Sequence, residues 1–250
     1  MPEETDMNDS ERQDKKLPAY WKEIYGWLYG SYWNRLLDND WFLTLITFGA
    51  NRITRKALLK EISPGAKVLQ LGATYGSQME DVARAVGRSG RYDVLDVSQA
   101  ALHRVKEKYQ YLYPQMHFIN QNANRAFRYK DYDVIICYNL LHEVPAVQKS
   151  KIVNNVLNSI KPGGEAVFID YHNPKPWHPL RWIIKSFNRL YEPFAEKLWE
   201  NEILSYSDGR LGYKWHKITY FHGLYQKAVA TRKYPLFFEQ AGQMEDTGPF

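Results

Sequence analysis

At 250 residues the chain can bury one substantial core, and its single cysteine, Cys137, excludes both a disulfide framework and a cysteine-rich metal cluster. The formal charge of +5 is uneven: Lys175 to Lys233 holds eleven Lys/Arg against five Asp/Glu, a basic excess that can face nucleic acid, an anionic membrane surface or only solvent. No apolar run approaches the roughly 20 residues that cross a bilayer as a helix, and the N-terminus has no secretory signal pattern.

Residues 1–16 carry six acids and three bases with almost no apolar side chains, which predicts a disordered leader. Residues 17–250 are expected to form one α/β domain, beginning with a helical cap over 17–62. In that cap Trp21, Tyr25, Trp33, Leu37, Trp41, Leu45 and Phe48 recur at helical spacing, either as packing or as a lid over an apolar substrate. A helix over Asn51–Ile62 is stopped by Ser63-Pro64-Gly65.

The core then alternates. Strand Lys67–Leu71, helix Met79–Val86, strand Arg91–Leu95, helix Gln99–Tyr111 and strand Met116–Asn120 are followed by the apolar strand Tyr132–Tyr138, helix Ala146–Ile160 and strand Glu165–Tyr171. Continuous apolar strands joined by helices predict a mostly parallel sheet covered on both faces. Lys217–Tyr220 and Tyr225–Thr231 are expected to close it as an antiparallel pair. Before them, the insertion 173–212 contains an amphipathic stretch: Leu180, Ile183, Ile184, Phe187, Leu190 and Tyr191 fall on one helical face, and Arg181, Lys185, Asn188 and Arg189 fall away from it. That pattern suits core packing or an anionic membrane surface.

The stretch Gln70-Leu71-Gly72-Ala73-Thr74-Tyr75-Gly76 is a strand running into a glycine turn and a helix N-terminus, the geometry that brings backbone N–H groups to a nucleotide-like ligand. Thr74 stands where a dinucleotide fingerprint needs its middle glycine, and the pattern is closer to the first motif of S-adenosylmethionine (SAM) enzymes. Asp96 ends the second strand, where a carboxylate accepts from ribose hydroxyls, with Val97 beside it; Asn122-Ala123 follow the third strand, placed to read an adenine edge. Leu140-Leu141-His142-Glu143 follows the strand that ends at Tyr138, and Asp170-Tyr171-His172 ends the next. His142, Glu143, Asp170 and His172 therefore come to one sheet edge, as a mixed nitrogen and oxygen site for a divalent ion such as Mn²⁺ or as acid–base groups. Tyr138 and Tyr171 are placed to steady a ring or donate a proton, or simply to pack.

These residues, with Trp177-His178-Pro179-Leu180-Arg181, Glu192-Pro193-Phe194-Ala195, Leu198-Trp199 and Gly223-Leu224-Tyr225-Gln226-Lys227, resemble the rhodoquinone biosynthesis protein family from about Tyr20 to Thr231. The resemblance implies a Rossmann-like class I SAM-methyltransferase fold, and an activity that replaces a methoxy group of ubiquinone by an amino group, with SAM as amine source and manganese as supporting ion. It implies SAM on Gln70, Gly72, Tyr75, Gly76, Asp96, Val97, Asn122 and Ala123, chemistry at Tyr138, His142, Glu143 and Tyr171, and the ion on Glu143, Asp170 and His172. Gln70 replaces the acid usual in methyltransferases, so the methionine end of SAM is expected to be held differently. A methyltransferase acting on a quinone or other lipid-like substrate is the alternative. The expected setting is cytoplasmic and peripheral on the inner membrane, with an anionic lipid surface as partner and no nucleic-acid or protein partner.

Overall fold

The computed structural model describes Pro18 and residues 32–127, 131–208 and 212–233; the 1–16 leader, and Trp21 and Tyr25 of the cap, lie outside the described residues. The cap contributes α1 (Tyr32–Leu37), α2 (Asp40–Ile46) and α3 (Ala50–Leu59). Asn39 starts α2 as its N-cap, its side-chain oxygen accepting from the N–H groups of Trp41 and Phe42.

The core follows as β1 (Lys67–Leu71), α4 (Gln78–Val86), β2 (Arg91–Asp96), α5 (Gln99–Tyr109), β3 (Met116–Asn120), β4 (Tyr132–Tyr138), α6 (Ala146–Leu157) and β5 (Ile160–Tyr171). The insertion gives α7 (Arg181–Tyr191) and the short α8 (Glu196–Glu200), and β6 (Tyr213–Tyr220) and β7 (Tyr225–Arg232) complete the sheet. The strand order is β3-β2-β1-β4-β5-β7-β6. All neighbours pair parallel except at β7, which runs antiparallel to both β5 and β6.

Both faces of the central strands β1 and β4 are buried, which is why they read as apolar runs. Leu69, Leu71, Ile135 and Cys137 join α6 residues Ile152, Val153 and Val156 in one core cluster. The alternate positions Val68, Val134 and Ile136 join Leu58 of α3, Val82 of α4 and Val105 of α5 in the other.

The structure departs from the sequence expectation at the start of β5. Helix α6 stops at Leu157, three residues short of the expected Ile160, because Ile160 already pairs with Tyr132. The register shifts between Tyr132 and Val134, and Gly164 fits there because an added Cβ would lie 2.8 Å from the Tyr132 carbonyl oxygen. A glycine here serves close approach of two strands.

Helix α7 also sits differently from its predicted rotation. Asn188, expected on the polar face, is 0% exposed, and Ile183, expected on the packed face, is 65% exposed. Ile184 keeps its expected place, against a small cluster of Ala50, Leu224 and Tyr225, and Lys185 and Arg189 are exposed as expected; the side chains of Phe187, Leu190 and Tyr191 lie outside what is described. The strand order reverses between β1 and β4, and the crevice at their carboxyl ends is where open α/β sheets bind ligands.

Candidate active site

A cleft opens at that reversal. Its walls carry Gly72 to Tyr75 after β1, Asp96 and Val97 after β2, Asn122 to Asn124 after β3, and Tyr138, Leu140 and Glu143 after β4; Asp40, Leu43 and Thr47 close it from α2. Gly72 is at φ +88° with its N–H on the Leu95 carbonyl at 2.8 Å, so the turn leaves the strand in a conformation that side-chain-bearing residues rarely adopt. Gly76 is at φ +71° and is needed for space as well, since a Cβ there would sit 3.0 Å from Leu43 and 3.1 Å from the Asp40 carboxylate.

Asp96 is fixed by backbone. One oxygen accepts from the Ala73 N–H and the other from the Ser98 N–H, each at 2.7 Å. Burial raises its pKa, and those two donors oppose the rise. Each oxygen keeps lone-pair capacity toward the cleft after accepting one hydrogen bond. Arg104 braces the turn from outside: its guanidinium lies 4.2 Å over the Tyr75 ring, donates to the Thr74 carbonyl at 3.1 Å and pairs with Asp38 at 2.7 Å. Burial pushes the Tyr75 phenol up to about 12, so it stays neutral.

Gln70 is corrected by the structure. It does not line the cleft but lies under the turn, 0% exposed, exchanging reciprocal amide hydrogen bonds of 3.0 and 3.1 Å with Gln78 and accepting 2.6 Å from the Tyr92 hydroxyl. Its amide also donates to the Gly72 carbonyl at 3.1 Å. Gln78 reaches the cleft wall and receives the Thr74 hydroxyl at 2.6 Å. Strand β1 points residue 70 toward α4, which explains the neutral knot.

On the opposite wall the groups are charged. The Asp170 carboxylate accepts from Leu141 N–H at 2.7 Å, His142 N–H at 3.3 Å, Tyr171 N–H at 2.7 Å and the His142 Nδ1 at 2.7 Å. His142 Nε2 faces Glu192 at 3.7 Å. Burial works against a charged imidazole, but Asp170 and Glu192 together outweigh it and raise the His142 pKa to about 10. His142 is therefore an imidazolium that donates from Nδ1 to Asp170 and faces Glu192 with Nε2.

Glu143, the next residue, is the member of this group on the cleft wall. Burial lifts its carboxyl to about 8 against the pull of His142, with Glu192, Asp96 and Asp170 adding to the rise. Of the other expected catalytic residues, Tyr138 lines the cleft with its hydroxyl 2.7 Å from Thr54, and burial pushes its pKa to about 12. His142 and Tyr171 stand one layer behind, their rings 4.7 Å apart, and Tyr171 packs on Tyr225 at 5.2 Å.

The expected ion site does not form. Asp170 is already engaged by four donors, and His172 turns away, its Nδ1 on the Gly223 carbonyl at 2.9 Å and its Nε2 3.5 Å from Glu202. Among the described residues no three His, Cys, Asp or Glu side chains come together to hold a metal. The donor set thus does not fit Mn²⁺ on Glu143, Asp170 and His172. Sequence reasoning missed Asp40 and Gln78, which reach the cleft through tertiary packing alone. It also missed Glu192, whose partnership with His142 depends on how the insertion folds back.

Three comparisons bear on this geometry. A family model described as a methyltransferase domain matches residues 68–164. An uncharacterized methyltransferase of Synechocystis is 31% identical over 184 residues, 72% of this chain and 78% of the relative. A 2-phytyl-1,4-naphtoquinone methyltransferase of Trichormus variabilis is 25% identical over 173 residues, 67% of this chain and 73% of the relative. The chain spans 55% of a ubiquinone/menaquinone biosynthesis C-methyltransferase of Vibrio vulnificus and 5% of a highly reducing polyketide synthase of Aspergillus niger. Among solved structures, the pyocyanin biosynthetic protein PhzM shares the fold at a TM-score of 0.64 and 13% identity, covering 84% of this chain and 61% of that one.

Proposed function

Because the chain belongs to the class I methyltransferase family, we propose that it moves the methyl group of SAM to the ring of a quinone or a similar lipid-like aromatic substrate. The cleft suits SAM on its own chemistry: a positive-φ glycine turn bares backbone beside a carboxylate that has spare acceptor capacity. Gly72 to Tyr75, Asp96, Val97, Asn122 and Ala123 would hold it, and SAM supplies an electrophilic methyl on a sulfonium sulfur. Asp96 accepts from the ribose hydroxyls.

The observation that carries the reading is Glu143, a carboxyl poised at about 8 on the wall facing that turn. In its ionised form it would take the proton of a ring hydroxyl of the reduced quinone, which raises the electron density of the ring. An unsubstituted ring carbon would then take the methyl as its bond to sulfur breaks, S-adenosylhomocysteine leaving, and would lose its own hydrogen as a proton to restore the ring. The His142 imidazolium, held between Asp170 and Glu192, stabilises that ionised form. The quinone part of the reading is supported by two relatives whose names state quinone methylation.

Replacement of a ring methoxy by an amino group, with SAM as amine donor, is the second reading. It is favoured by the resemblance in the 170–181 and 223–227 blocks and by the neutral knot at Gln70, which places no carboxylate there for the methionine ammonium. Methyl-labelled SAM, offered separately with a short-tailed quinol that has one unsubstituted ring carbon and with reduced short-tailed ubiquinone, whose ring carbons are all substituted, separates the two by mass spectrometry. Label on the first quinol is expected, an unlabelled ubiquinone product with amine in place of methoxy supports the second reading, and two unchanged quinones overturn both.

A further inference from the structure

The outer surface around the mouth of the cleft combines apolar and basic side chains in a way the core does not require. Helix α2 turns Leu43 and Thr47 into the cleft and leaves Trp41, Leu45, Ile46 and Phe48 outside, at 68%, 57%, 45% and 65% exposure. Across from it, Trp177, Trp182 and Ile183 stand 61%, 73% and 65% exposed at the start of α7. The two patches share one base. Ala50, two residues beyond Phe48, and Ile184, next to Ile183, pack into the same small cluster with Leu224 and Tyr225, and Tyr225 lines the cleft.

The exposed charges on these two stretches have one sign. From Trp41 to Arg52 and from Asn173 to Tyr191 the chain has Arg52, Lys175, Arg181, Lys185 and Arg189 and no acid. The acid of α2, Asp40, is paired with Arg55. Arg52, Lys175, Lys185 and Arg189 remain exposed. Exposed tryptophans ringed by Lys and Arg match the chemistry of an anionic lipid interface, where indoles lie at headgroup depth and bases meet phosphates. A groove for a protein would need apolar side chains packed to one shape, whereas these project singly.

We propose that this face, from Trp41 to Phe48 and from Trp177 to Arg189, docks the protein on an anionic phospholipid bilayer, with the mouth of the cleft directed at the membrane. A membrane-dissolved substrate then enters between α2 and α7 without crossing water. The docking stands on the surface alone, and only the identity of what enters rests on the function proposed above. The patch lies outside the catalytic wall, so docking and chemistry are separable.

The test is co-sedimentation of the full chain with phosphatidylcholine vesicles and with vesicles containing phosphatidylglycerol. Wild type is expected on the anionic vesicles and in the supernatant of the neutral ones. Charge reversal at Lys185→Glu with Arg189→Glu is expected to weaken binding by about tenfold or more, since each base near such a surface contributes about 1 kcal/mol. Trp182→Ser with Ile183→Ser is expected to weaken it comparably, at unchanged circular dichroism and unchanged turnover of a tail-less, water-soluble quinol. Equal partition onto neutral vesicles, binding indifferent to both variants, or a dimer in solution that these variants disrupt would overturn the proposal. Lost methylation with vesicle binding intact would instead count against the function and leave the docking face standing.

Discussion

Two buried polar clusters flank the cleft, and they are built on opposite rules. Under the β1 turn, Gln70, Gln78, Tyr92 and Thr74 form a neutral knot that closes on itself. Behind β4 and β5, the His142 imidazolium lies between Asp170 and Glu192 in a cluster that does not close: one Glu192 carboxyl oxygen is buried without a hydrogen-bond partner, and burial raises the pKa of that carboxyl. A neutral cluster whose donors and acceptors all pair serves rigidity, and it holds the turn that cradles the cofactor. A charged cluster with acceptors left over is costly to maintain. Burial is what lifts the neighbouring Glu143 carboxyl to about 8, and the cluster acts on that value from both sides, His142 pulling it down and Glu192 and Asp170 pushing it up.

Breaking the charged cluster should have the largest effect. Asp170→Ala strips the acceptor from three backbone N–H groups and leaves the His142 imidazolium facing only Glu192. We expect a loss of about 3–5 kcal/mol in denaturant unfolding, the range for removing one member of a buried ion pair. A loss under about 1 kcal/mol would mean that the cluster is solvated and that the contrast with the neutral knot is false.

A smaller effect is expected on the neutral side. Gln70→Leu removes both amide bonds to Gln78 and the acceptor of the Tyr92 hydroxyl, at an expected cost of about 1–3 kcal/mol in the same measurement. The pH profile of turnover should keep its shape, because the knot carries no charge. A displaced profile in that variant would tie the two clusters together and remove the distinction between them.

The two sides also differed in how far the sequence disclosed them. The bounds of β1 and β4 could be read directly, since strands buried on both faces leave a mostly apolar signal, and the Gly72 to Gly76 turn announces itself by composition. The place of Asp96 on the cleft wall was readable because it ends a strand of the sheet. Residue 70 was placed on the right strand but on the wrong side, since the pattern does not say which buried face points at the cleft. The insertion defeated periodicity: Asn188 is buried and Ile183 exposed because the packing of α7 on Ala50, Leu224 and Tyr225, and not its mean amphipathicity, sets its rotation. His172 left the expected ion site for the Gly223 carbonyl, a contact between residues 51 apart in sequence. Glu192 stood in a block that carried the resemblance, but nothing in that block pointed to His142, 50 residues earlier.

The central claim is that Glu143, its carboxyl raised by burial beside the His142 cluster, is the base, and a pH–rate profile tests it most directly. In the wild type, methyl transfer to a soluble quinol should rise through an acid limb near pH 8, because the raised carboxyl must lose its proton before it accepts one from substrate. Glu143→Gln should abolish that limb and lower turnover by about 10²–10⁴-fold, with the unfolding midpoint unmoved. A Glu143→Gln enzyme that keeps near-normal turnover and the same limb would contradict the account.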